Sequence, residues 1–149
     1  MVWLSKQFVR WLNWIAPFVR RSRVKNISTE ELRSVLERAD ESFILVDVRS
    51  QTERDVSRIP GAISMDDFWS QRDDLKNRTV IASCTVGGRS LLFAQRCLKD
   101  GIQARNYRPG ILGWCEAGGV LVDPNGNPTR RVHTHNKLLR APDNYESVP

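Results

Sequence analysis

The sequence predicts an α/β fold with a mostly parallel central sheet flanked by helices, and an amphipathic helix ahead of it. Two unbroken apolar runs, Phe43-Ile44-Leu45-Val46 and Thr79-Val80-Ile81-Ala82-Ser83, lack the alternation of a half-exposed strand and read as strands covered on both faces. Segments with helical spacing alternate with them. The length of 149 residues, with 40% hydrophobic and 27% charged side chains, suits one core and excludes a disordered, collagenous or wholly membrane-embedded chain.

Residues 1–25 stand apart. They carry Lys6, Arg10, Arg20, Arg21, Arg23 and Lys25 without one acidic residue, and the rest of the chain balances, so the whole net charge of +6 sits here. Trp3, Trp11 and Trp14 are three of the five tryptophans. On a helix, Lys6, Arg10 and Asn13 share a polar arc, and Trp3, Leu4, Phe8, Trp11, Leu12 and Ile15 a wide apolar one. The longest uncharged run, Trp11 to Val19, is far short of the roughly 20 residues needed to cross a bilayer, and Pro17 would kink it. A secretory signal fits poorly, since Arg20-Arg21 stands where a small-residue cleavage site belongs. The expectation is a peripheral helix at the inner, cytoplasmic face of a membrane, its cations drawn to anionic headgroups. A Trp face packed on the domain or on a second subunit, and a mitochondrial-type presequence, are the other readings.

The folded body is expected over 26–122. Ser28 with Glu31 is a capping box, Ile27 and Leu32 form a hydrophobic staple, and Leu32, Val35, Leu36 and Ala39 continue the helix. After the first strand and Asp47-Val48-Arg49, Ser50 with Glu53 repeats the capping box and opens a short helix. Ile59-Pro60-Gly61-Ala62-Ile63 reads as an extended piece with a turn. The second strand leads to a helix over Leu91 to Leu98 closed by Gly101, a third strand over Gln103 to Tyr107, and a short helix over Ile111 to Ala117 bearing Trp114. Residues 123–149, opening with Asp123-Pro124-Asn125-Gly126, read as a polar extension, a hairpin or loose tail without a role in the core. A body of balanced charge with no basic stripe predicts no nucleic-acid partner. Three cysteines in a domain of this size point to free thiols and a reducing compartment.

Chemistry concentrates in Cys84-Thr85-Val86-Gly87-Gly88-Arg89-Ser90, at the carboxyl end of a strand, where parallel sheets place their functional crevice. Two glycines let successive N–H groups turn inward as an anion nest at the positive end of the next helix. A thiolate there is stabilised, so Cys84 is the expected nucleophile.

These residues resemble the rhodanese family of sulfurtransferases. The resemblance spans Ile27 to Val122 and rests on the Cys-x-x-x-x-Arg-Ser loop, Asp47-Val48-Arg49, Glu53, Ile59-Pro60-Gly61-Ala62-Ile63, and Pro109-Gly110-Ile111 with Trp114. It implies that Cys84 takes a sulfane sulfur from a small donor, thiosulfate or a persulfide, and passes it to a thiophilic acceptor, which another protein could supply. It implies that Thr85, Val86, Gly87, Gly88 and Arg89 cradle the outer sulfur, that Asp47, Arg49, Glu53 and Ser90 support them, and that no cofactor is needed. Related phosphatases use a loop one residue longer, so this loop is sized for sulfur. Thr85 and Val86 stand where many relatives carry a polar or cationic residue, Ser57-Arg58 replaces Gly-His, and Pro109-Gly110 replaces a glycine pair; the first change weakens the case for thiosulfate. A binding module that keeps the fold without turnover, tethered at a membrane, is the alternative.

Other candidates read as structural. Cys97 and Cys115 suit the core, although Cys115 could approach the site as a resolving thiol. His133-Thr134-His135 lacks a third metal ligand nearby in sequence and reads as solvated, so no metal site is expected. Arg49 and Glu53, four apart, are expected to pair with each other.

Overall fold

The computed structural model describes residues 24–149. The helix expected in the N-terminal segment therefore lies outside the described residues.

The chain runs β1 (Lys25–Asn26), α1 (Thr29–Glu37), β2 (Phe43–Asp47), α2 (Gln51–Val56), β3 (Ile63–Ser64), α3 (Met65–Ser70), α4 (Arg72–Leu75), β4 (Thr79–Ser83), α5 (Gly88–Lys99), β5 (Ala104–Asn106) and α6 (Gly110–Glu116). Four short strands follow: β6 (Leu121–Val122), β7 (Pro128–Thr129), β8 (Arg131–His133) and β9 (Glu146–Val148). The first five strands form one parallel sheet in the order β1-β5-β4-β2-β3. From β2 the chain steps outward to β3 and then back across to β4, so the winding reverses between β2 and β4, and ligand crevices open outside the carboxyl ends of such a strand pair. Asp47 and Ser83 face each other in register there.

Strand alternation divides the core. Leu45 and Ile81 point to one face, where they meet Leu32 and Val35 of α1 with Ile111 and Trp114 of α6; Val46, Val80 and Ala82 point to the other and meet Phe68 of α3 with Phe93 and Cys97 of α5. Both capping boxes are present, Ser28 with Glu31 on α1 and Ser50 with Glu53 on α2.

Several elements differ from the sequence reading. β1 extends the sheet by pairing with Arg105 and Asn106, so Val24 and Lys25 belong to the domain and the unit begins before residue 26. Ser64 caps an unanticipated α3 by accepting from the Asp67 amide at 2.9 Å. The third strand is shorter, and α5 starts three residues early because the Cys84 loop feeds straight into its first turn.

The C-terminal extension does enter the core, which corrects its reading as a polar tail. The hairpin exists, with Asp123 Oδ1 accepting from the amides of Asn125 and Asn127 across the β6–β7 turn. Beyond it, β8 lies against α2 and pairs in parallel with β9, and Val132 is fully buried in the cluster that holds Leu45 and Trp114. Tyr145 donates its hydroxyl to Gly119 O at 2.7 Å. Leu139, Ala141 and Tyr145 pack against the same cluster, so a few apolar side chains spaced through a polar stretch seat the segment on the body.

Candidate active site

Strand β4 delivers Cys84 at the switch in winding, and main-chain contacts fix the loop that follows. Gly87 has φ +89°, and a Cβ there would lie 2.4 Å from the Arg108 carbonyl oxygen; Gly110, at φ +67°, would meet Thr85 O at 2.2 Å. Only glycine fits either place. The Ile111 amide donates to Cys84 O at 2.8 Å, tying the loop to the start of α6.

Cys84 is 1% exposed. Its Sγ accepts from the Gly87 amide at 3.0 Å and lies 3.3 Å from Ser90 Oγ. Burial pushes the thiol up, but the Ser90 hydroxyl and the amides of Ser90, Gly87 and Val86 outweigh it and hold Cys84 below its ordinary value. At Cys97 and Cys115 burial outweighs every lowering contribution. Burial pushes them up to about 11 and about 12, so they are inert core thiols.

The anticipated Arg49–Glu53 pair does not form. Arg49 turns inward on its own strand end, donating to Asp47 Oδ2 at 2.6 Å and to Ser57 O at 2.7 Å. Glu53 is held by its capping box with the carboxylate facing the loop, where it takes both forks of the Arg89 guanidinium at 2.7 and 2.8 Å. Arg89 also donates to Thr85 Oγ1 at 2.9 Å, and Thr85 Oγ1 donates to Glu53 Oε1 at 3.2 Å. Burial pushes the Glu53 carboxyl up, yet Arg89 and Ser50 hold it well below the usual carboxylate range, and Glu53 raises Arg89 in return. The guanidinium therefore clamps the loop from outside and does not face the sulfur directly. Val86 is 53% exposed at the rim, and Gly88 is exposed beside it.

Thus the structure gathers Cys84, Thr85, Val86, Gly87, Gly88, Arg89, Ser90 and Glu53 at one place, and sets Asp47 and Arg49 beneath as a separate buried pair. Sequence reasoning did not assign three contributors to the site: Asn106 went unnoticed, Gly110 was noted only as part of the Pro109-Gly110-Ile111 segment, and His135 was read as solvated. Asn106 reaches in from β5 to Ser90 and Gly87, Gly110 makes room for the loop, and His135 brings Nδ1 to 3.5 Å from Glu53 Oε1. The signals were present in the polar end of an otherwise buried strand and in the paired histidines. Two neighbouring clefts lined by Gly118, Gly119 and Val120, one of them also by Trp114, do not include Cys84.

This geometry has counterparts. Residues 28–117 match the Rhodanese-like domain. The chain belongs to the rhodanese family. Rhodanese relatives include a sulfurtransferase of Allochromatium vinosum, 31% identical over 108 residues that span 69% of this chain and 99% of that one. The YtwF protein of Bacillus subtilis, named provisionally as a sulfurtransferase, is 32% identical over 94 residues, 61% of this chain and 90% of its own. Among solved structures, the thiosulfate sulfurtransferase of Pseudomonas aeruginosa superposes with a TM-score of 0.61 at 27% identity, covering 70% of this chain and 21% of that one. The BH2092 protein of Bacillus halodurans shares the fold at a TM-score of 0.62 and 19% identity, over 76% of this chain and 88% of that one. Rhodanese membership and these relatives support sulfur transfer as the general class of activity.

Proposed function

We propose that the protein carries a sulfane sulfur as a persulfide on Cys84. The observation that carries this reading is the Gly87 N–H aimed at Sγ inside a loop that holds the thiol below its ordinary value. The Cys84 thiolate attacks the outer sulfur of the donor; the S–S bond to the donor breaks, its electron pair leaves with sulfite or a thiolate, and Cys84 keeps the transferred sulfur as Cys–S–S⁻. An acceptor nucleophile such as cyanide then takes that outer sulfur, and the pair of the breaking bond restores the Cys84 thiolate. Loop amides stabilise the anion at each stage without reorganising.

A low-molecular-weight persulfide suits the mouth better than thiosulfate. Thr85 and Val86 bring no charge, and Arg89 is already engaged by Glu53, which leaves little to offset a small dianion. The test is intact-protein mass after exposure to each donor, with Cys84→Ser as control. Gain of one sulfur atom, reversed by cyanide and absent in the variant, supports the reading. A folded, reduced sample that takes sulfur from neither donor overturns it in favour of a binding module without turnover.

A further inference from the structure

Behind Cys84 the Ser90 hydroxyl belongs to a buried polar chain whose far end, Asn106, sulfur transfer as described does not use. Ser90 is fully buried and Asn106 almost so. Ser90 Oγ donates to Asn106 Oδ1 at 2.6 Å and stands 3.3 Å from Cys84 Sγ. Gly87 O fixes the orientation of the Asn106 amide: a carbonyl only accepts, so Nδ2 must face it, at 3.3 Å, and Oδ1 must face Ser90.

A serine hydroxyl has one proton to give. While Asn106 holds it, the contact between Ser90 and Cys84 is completed only by the thiol, S–H donating to Oγ. When Cys84 ionises, its proton passing to a base in solvent, the sulfur becomes an acceptor and the hydroxyl must turn from Asn106 to Sγ. A buried carbonyl oxygen then loses its donor, which is costly.

We propose that Asn106 is a positioning residue that competes with Cys84 for the single proton of Ser90 and so sets the thiolate fraction of the nucleophile. The inference rests on Cys84 as the sulfur carrier, but its readout, the ionisation of Cys84, is independent of transfer. Such restraint suits the chemistry, because a thiolate made too stable becomes a poor nucleophile. The charged and titratable groups around the loop are Glu53 from α2, Arg89 from α5, Asp47 and Arg49 at the end of β2, and His135 beside Glu53. They are common to every variant below.

The experiment follows Cys84 alkylation by iodoacetamide against pH in the full chain, read by intact mass. Asn106→Leu frees the hydroxyl for the sulfur and should move the midpoint down, raising the rate below the midpoint by about three- to tenfold, the net worth of one ordinary hydrogen bond. Asn106→Asp keeps the shape but grips the Ser90 proton and adds negative charge, so the midpoint should rise. In a Ser90→Ala background, Asn106→Leu should no longer lower it. A role in holding loop shape would move the Leu and Asp variants in the same direction, and that result overturns the proposal, as does a downward shift by Asn106→Leu without Ser90. If the Leu variant does not fold, the near-isosteric Asp variant decides alone: an unchanged or lowered midpoint overturns it. Failure of sulfur loading with the pH pattern intact would overturn the carrier reading and leave the role of Asn106 standing.

Discussion

Glu53 shows how one carboxylate can both cap a helix and hold the Cys84 loop. Its oxygens serve the Ser50 amide behind it and Arg89 with Thr85 in front, so folding favours its ionised form. The sign follows from its lowered pKa. Its contribution is complete above the ordinary glutamate value of 4.5 and is withdrawn as pH falls below that value. Glu53→Gln should lower stability at neutral pH by about 1.5–3 kcal/mol, from hydrogen bonds to a charged group. Thermal unfolding of this variant should also depend less on pH below 4.5; an unchanged slope would mean that another group carries the acid sensitivity. The sequence marked Glu53 by its capping box, yet assigned it the wrong cation. Spacing of four suggests a partner on the same helix face, but Arg49 precedes the helix, and its guanidinium reaches Asp47 two residues back before it could reach Glu53.

Among the elements, the long apolar strands β2 and β4 and the capped helices α1 and α2 were legible because each carries its own local signal. β1, α3 and β8 were not. β1 is two polar residues whose strand character comes only from pairing with distant Arg105 and Asn106. α3 buries Phe68 alone, too little for a period to show. β8 places Val132 in the core between the exposed Arg131 and the half-buried His133. Asn106 escaped notice for a related reason, since a polar residue ending a buried strand shows its purpose only when Ser90 is folded beside it. Val132→Ala should cost about 1.5–3 kcal/mol, the value of burying a valine side chain, measured by urea unfolding. It should also loosen the approach of His135 to Glu53. A loss under 0.5 kcal/mol would show that β8 is only draped on the body.

For the molecule as a whole, the net charge and the Cys84 loop lie in separate parts of the chain. No described helix is long and apolar enough to cross a membrane. The N-terminal segment, by its sequence, is proposed to bind an anionic membrane surface while the neutral body works independently. Because β1 starts at Lys25 and Val24 packs on the core, the separating cut belongs after residue 23. Residues 24–149 should stay folded and keep the alkylation profile of Cys84, and the full chain should pellet with anionic vesicles at low salt and less so as salt screens its cations. Aggregation of the shortened protein, with full-length chain that ignores vesicles, would assign the Trp-rich face to protein packing instead. The same division recurs in miniature at the loop. Gly87 and Gly110 set its curve through contacts of backbone on backbone, whereas a Cβ on Gly88 would meet nothing within 4 Å and Val86 stands half in solvent. Selection can therefore rewrite the residues that greet a client molecule one at a time without disturbing the frame that holds the sulfur, and such a loop can acquire a new donor by point mutation while its nucleophile stays where it is.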